Sequence, residues 1–145
     1  MNKSTVGVHL TLIGDDFELS NVSSKLGIFP TYTRNKDELL KNGREFGRTE
    51  WGIGFECEPS IDIEDQYRKI LSMVQDKTDI LTQLCVECDA EWHILFVVYI
   101  ENGDVPALYL SKGFIAFAAA IGAQVGFDTY VLSAREDGVM ESTSE

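Results

Sequence analysis

The segment Thr5–Ile13 alternates, with Val6, Val8, Leu10 and Leu12 on one side and Thr5, His9 and Thr11 on the other. Period two of this kind predicts a half-buried strand. Gly14-Asp15-Asp16 interrupts it. A short helix follows, with Ser20 as its cap, Val22 and Leu26 as its apolar members and Gly27 at the C-terminal cap position. Pro30 then holds Phe29 extended. Residues 31–50 read as a long connection with one helical turn around Asp37–Lys41; a connection of that length is uncommon and often functional. Alternation resumes at Trp51, Ile53, Phe55 and Cys57, read as inward, against Gly52, Gly54 and Glu56, read as outward.

The spacing of Ile63, Tyr67, Ile70, Leu71 and Val74 predicts a helix capped by Ser60. A further short helix from Asp76 carries Ile80, Leu81 and Leu84. From Glu91 to Ile100 both alternating sets are apolar, which predicts a strand inside the sheet and covered on both faces. Asn102-Gly103 predicts a tight turn into a short strand at Pro106–Leu110, the two forming a hairpin. Ser111 caps a small-residue helix over 112–121, and Gly122 ends it. A last strand spans 124–132. The element order β-α-β-α-β-β-α-β places the chain in the α+β class: a single mixed or mostly antiparallel sheet with helices mainly on one face. Residues 1–132 form one domain, and 133–145 is an acidic tail expected to be flexible.

Composition supports this reading and narrows the partners. The chain has 145 residues, enough to bury a core without disulfide or metal. Twelve basic and 24 acidic side chains give a net charge of −12, which disfavours nucleic-acid phosphate and anionic membrane and favours a basic protein partner. No segment approaches the roughly 20 apolar residues of a membrane span, and the N-terminus lacks a secretory pattern. Three cysteines, Cys57, Cys85 and Cys88, read as reduced thiols of a cytoplasmic protein.

Leu26-Gly27-Ile28, Pro30-Thr31, the basic connection and Trp51 stand in the same order as in a small bacterial family, domain of unknown function 4279. Leu110-Ser111, the small-residue helix, Ile121-Gly122-Ala123, Asp128 and Tyr130 extend the likeness. The chain resembles that family over roughly residues 5–132. The resemblance implies no activity and assigns no catalytic residue.

Candidate chemistry is sparse. Cys85 and Cys88 have metal or redox spacing, but Glu87 and Asp89 lie beside them and a second ligand pair is not evident, so they read as packing thiols. His9 and His93 lie on strands with no nucleophile motif nearby, and no catalytic residue, cofactor or metal is assigned. The basic connection stands apart. Residues 31–50 hold five bases against four acids, a charge of +1, while the rest holds seven against 20, a charge of −13. Thr31, Arg34, Lys36, Arg44, Arg48 and Trp51 are therefore candidate binding residues for an anionic group. Asp128 and Tyr130, on one face of the last strand, join them, with Asp128 expected to partner one of the arginines. The expected function is that of a non-catalytic acidic binding protein, of the immunity type that neutralises a basic bacterial toxin or another protein. The alternative is a small-ligand or regulatory module using 31–50 as a lid; an uncharacterised enzyme ranks last.

Overall fold

The computed structural model describes residues 3–132. Five strands form one mixed sheet: β1 (Thr5–Gly14), β2 (Tyr32–Arg34), β3 (Thr49–Pro59), β4 (Ala90–Glu101) and β5 (Gln124–Leu132), in the order β2-β3-β1-β4-β5. All neighbours are antiparallel except β4 and β5, which are parallel. A parallel step needs a crossover, and helix α4 (Lys112–Ala120) lies on it. The other helices are α1 (Leu19–Leu26), α2 (Glu64–Val74) and α3 (Thr78–Cys88), with a single 3₁₀ turn joining the last two. This is the expected α+β class. The acidic tail lies outside the described residues.

Register fixes which side chains share a face. Leu12 lies between Trp51 and Trp92, Leu10 between Ile53 and Ile94, and Val8 between Phe55 and Phe96. These rows form the buried floor under the helices. Each helix is tied to it by a specific contact. The Trp51 indole N–H donates to Ser23 Oγ of α1 at 2.9 Å, and the Trp92 N–H donates to the Leu81 carbonyl of α3 at 2.9 Å. Tyr67 of α2 and Phe114 of α4 cluster with Phe96, with ring centroids 4.6–6.3 Å apart. Buried Tyr67 keeps a partner for its hydroxyl, 2.8 Å from Ser111 Oγ. Ser111 also accepts from the Phe114 N–H, as a helix cap should.

Several details differ from the sequence reading. α1 is not capped by Ser20, since no side chain caps it and Glu18 holds the cap position. α2 begins at Glu64, where Asp62 Oδ1 accepts the Asp65 N–H in place of the expected Ser60. A bulge opposite Gly7 shifts the register, so Glu58 lands opposite Val6 and reaches Lys69 of α2. It also turns Cys57 away from the helices, against the expectation, to within reach of the Val97 carbonyl. Finally, 106–110 is not a strand. β4 already has β1 on one side and β5 on the other, so no edge remains for a hairpin partner. That segment bridges to Asp62 through Ala107 instead.

All four helices pack on one face. Among the described residues the opposite face of the sheet is free of helices; it carries Thr5, His9, Thr11 and Ile13 of β1 beside Leu95, Val97 and Tyr99 of β4. The apolar second set of β4, expected to be covered, therefore lies on the helix-free side.

Candidate functional site

The helix-free face has two parts. At one end, β2, β3, β1, β4 and the start of β5 line a groove of about 480 Å³, within the range of small-ligand sites. At the other, β4 and β5 present an aromatic strip.

The groove is built on glycines. Gly52 and Gly54 of β3 face it, opposite Thr11 and His9 of β1. A Cβ at Gly52 would meet the Tyr32 ring at 2.6 Å, and one at Gly54 would overlap the His9 imidazole. Glycine inside a strand marks such close approach; here it lets both rings lie down on the sheet. Tyr32 arrives because Thr31 donates its N–H to the Gly52 carbonyl at 2.8 Å, starting the short β2 pairing.

One hydrogen-bonded chain crosses the floor. The Tyr32 hydroxyl donates to Glu50 Oε1 at 3.1 Å and so accepts from the Thr11 hydroxyl, also at 3.1 Å. Arg48 Nε donates to Glu50 Oε2 at 2.7 Å. Glu50 is only 7 % exposed, and a carboxylate so buried needs these partners. Burial, with the Glu50 charge beside it, raises the Tyr32 phenol above its usual value, keeping it protonated as a donor. His9 and His93 complete the lining. Thr11 bonds Tyr32 and neither histidine, so it forms no nucleophile–base pair.

Burial lowers the His9 imidazole below its ordinary 6.5. Unfolding frees the ring to bind a proton at 6.5, so just below that pH the unfolded chain holds more protons. Stability is full above 6.5 and falls as the pH drops from there toward the folded value. Glu58, lowered chiefly by its bond to Lys69, acts only further down, below 4.5. The urea midpoint of the wild type is therefore expected to be lower at pH 5.5 than at pH 7.5, and His9→Gln to shrink the difference. An undiminished difference in the variant would assign the effect elsewhere.

The strip at the far end holds Tyr99 and Tyr130, stacked with centroids 5.0 Å apart and planes 18° from parallel. Asp128 lies opposite Val97 and Leu132 opposite Glu101 on the same face. Among the described residues β5 is an edge strand, and Tyr130 is 46 % exposed.

The candidate residues named from sequence are thus dispersed. Trp51 is a core residue, 0 % exposed, and lies on the helix side; it binds nothing at the surface. Arg34 and Arg48 flank the Phe46 ring, at 4.7 and 5.4 Å from its centroid. Arg48 is closed on Glu50, Lys36 pairs with Asp16 at 3.6 Å, and Arg44 sits in a turn whose N–H bonds Asn42. The bases therefore do not converge on one anion. Asp128 does not partner Arg34, since β2 and β5 are opposite edges of the sheet, roughly 19 Å apart at four strand spacings, and Arg48 pairs with Glu50 instead. Asp128 and Tyr130 do share a face, as expected. Cys85 and Cys88 lie inside α3, and burial raises both thiols above their usual value.

Sequence reasoning left four groove residues aside as chemistry: His9, Thr11, Glu50 and His93. The signal was present in the outward glycines 52 and 54, which face the outward His9 and Thr11.

A family model described as a domain of unknown function (DUF4279) matches residues 3–132. The chain belongs to this family. No curated protein and no solved structure matches it. The match spans every strand and helix described above, so groove and strip both lie inside the family domain. Among the described residues, no helix is long and apolar enough to cross a membrane.

Proposed function

We propose that the chain is a non-catalytic binding protein that receives a basic protein partner on the helix-free face of its sheet. The observation that carries this reading is the apolar second set of β4 with its neighbours on β5. Leu95, Val97 and Tyr99 continue into Tyr130 and Leu132, and no helix covers them among the described residues. An antiparallel sheet with one solvated face normally carries polar residues there. Tyrosines exposed beside aliphatic side chains are typical anchors of protein interfaces.

Charge supports the partner's chemistry. Glu91 and Asp128 lie on this face, and the chain as a whole carries −12. A field of that sign speeds encounter with a basic protein and repels nucleic acid. An acidic domain blocking a basic toxin, the immunity-type role, is the particular case that fits this pattern; the cytoplasm is the compartment that fits its free thiols.

The test is capture from the native host at low salt, using the wild type and Tyr130→Ser side by side. The reading expects a basic protein held by the wild type, released by salt and lost from the variant. Equal capture by both would contradict it.

A further inference from the structure

The groove differs in character from the aromatic strip, and it points to a second kind of occupant. It is concave, its floor is a continuous hydrogen-bonded chain, and its charges cancel within it. Arg48 and Glu50 close on each other at 2.7 Å, so the groove presents neither free positive nor free negative charge, on a protein of −12.

Its polar groups are mixed in a particular way. The Thr11 and Tyr32 hydroxyls spend their protons along the floor, on Tyr32 and Glu50, and offer acceptor lone pairs to an occupant. Glu50 accepts, and the Arg48 guanidinium has further N–H donors beyond the one on Glu50. His9 contributes a donor through Nε2. Its Nδ1 is buried without a hydrogen-bond partner among the described residues and lies 2.1 Å from where a Gly54 Cβ would stand. An unpaired buried N–H is the costlier orphan, so the proton resides on Nε2, the nitrogen not pressed on the sheet. Ile13 and Leu95 add aliphatic walls.

Alternating donors and acceptors between apolar walls, with no net charge, match a molecule whose groups each donate and accept. An inorganic anion would find the charge of the groove's arginine already offset by Glu50, although N–H donors remain on it, and a cation would find that carboxylate already neutralised. We infer that this groove, on the floor formed by Thr11, Tyr32, Glu50 and Arg48, binds a small neutral polyhydroxylated ligand of the monosaccharide kind. The groove adjoins the aromatic strip and shares Leu95 with it, but its polar floor of Thr11, Tyr32, Glu50 and Arg48 contains no residue of the strip, so a ligand there can be tested without the protein partner.

The chain has only two histidines, and both line the groove, which gives a built-in reporter. The full chain is titrated with glucose, galactose, mannose and N-acetylglucosamine in turn, and with inorganic phosphate, while the imidazole proton resonances of His9 and His93 are followed. A saturable shift of both rings by at least one sugar is expected, with a dissociation constant in the millimolar range or below. Phosphate is expected to move neither. Tyr32→Phe keeps the ring over Gly52 and deletes the hydroxyl; it should weaken the sugar three- to tenfold, about the worth of one hydrogen bond. Thr11→Val, a second deletion on the same floor, should weaken it similarly while backbone resonances of the helices stay put. The inference is overturned if no sugar shifts either histidine, if phosphate does so, or if sugar affinity is unchanged in both variants.

Discussion

Trp51→Ala is expected to destabilise the fold by about 3–5 kcal/mol, the range for deleting a large buried aromatic. Trp51 is wholly buried and meets Trp92 edge-to-face, with centroids 6.1 Å apart and planes at 83°. Alanine removes that contact, leaves a cavity between β3 and α1, and takes away the indole donor from Ser23. For a domain of this size the melting temperature should fall by about 10–20 °C. Trp51→Phe isolates one part of the effect: it retains most of the bulk, loses the N–H and should cost about 1–2 kcal/mol. Thermal and urea unfolding of the three proteins measure both values. An alanine variant melting within a few degrees of the wild type would mean that Trp51 is not a core residue.

Tyr130→Ser is expected to do the opposite, weakening partner binding while leaving the fold in place. The side chain lies on an edge strand, is half exposed and packs chiefly on Tyr99. Loss of an interface anchor costs about 2 kcal/mol or more, roughly thirtyfold in affinity for the captured partner. Its contribution to stability should stay within about 1 kcal/mol, as is usual for exposed positions. Titration calorimetry with the captured protein, paired with thermal unfolding, separates the two quantities. Full affinity in a folded Tyr130→Ser protein would remove the strip from the interface.

The contrast between these two tyrosine and tryptophan positions shows what the sequence carried. Trp51 belongs to an alternating set, Trp51, Ile53, Phe55, and that period already placed it inward; nearness in sequence to five basic residues was the misleading cue. β1, β4 and α2 were legible because each carries a long periodic pattern. β2 was not, since three residues bearing a Tyr and an Arg have no period of their own and pair only because β3 offers a backbone edge. The strand expected at 106–110 failed for a related reason: the edge it needed is taken by β5, and strand order is a long-range property. The same order separates Asp128 from Arg34. The groove was half visible. Outward glycines signalled close approach, but that His9 and Tyr32 would be the side chains approaching depends on register, which a bulge and a three-residue strand help to set.

The helix-free face is the centre of this account, and hydrogen–deuterium exchange of the chain with and without its captured partner probes it directly. The prediction is slowed exchange over Glu91–Glu101 and Gln124–Leu132, with α2 and α3 unchanged. Protection confined to the helices, with β4 and β5 exchanging as in the free protein, would contradict it.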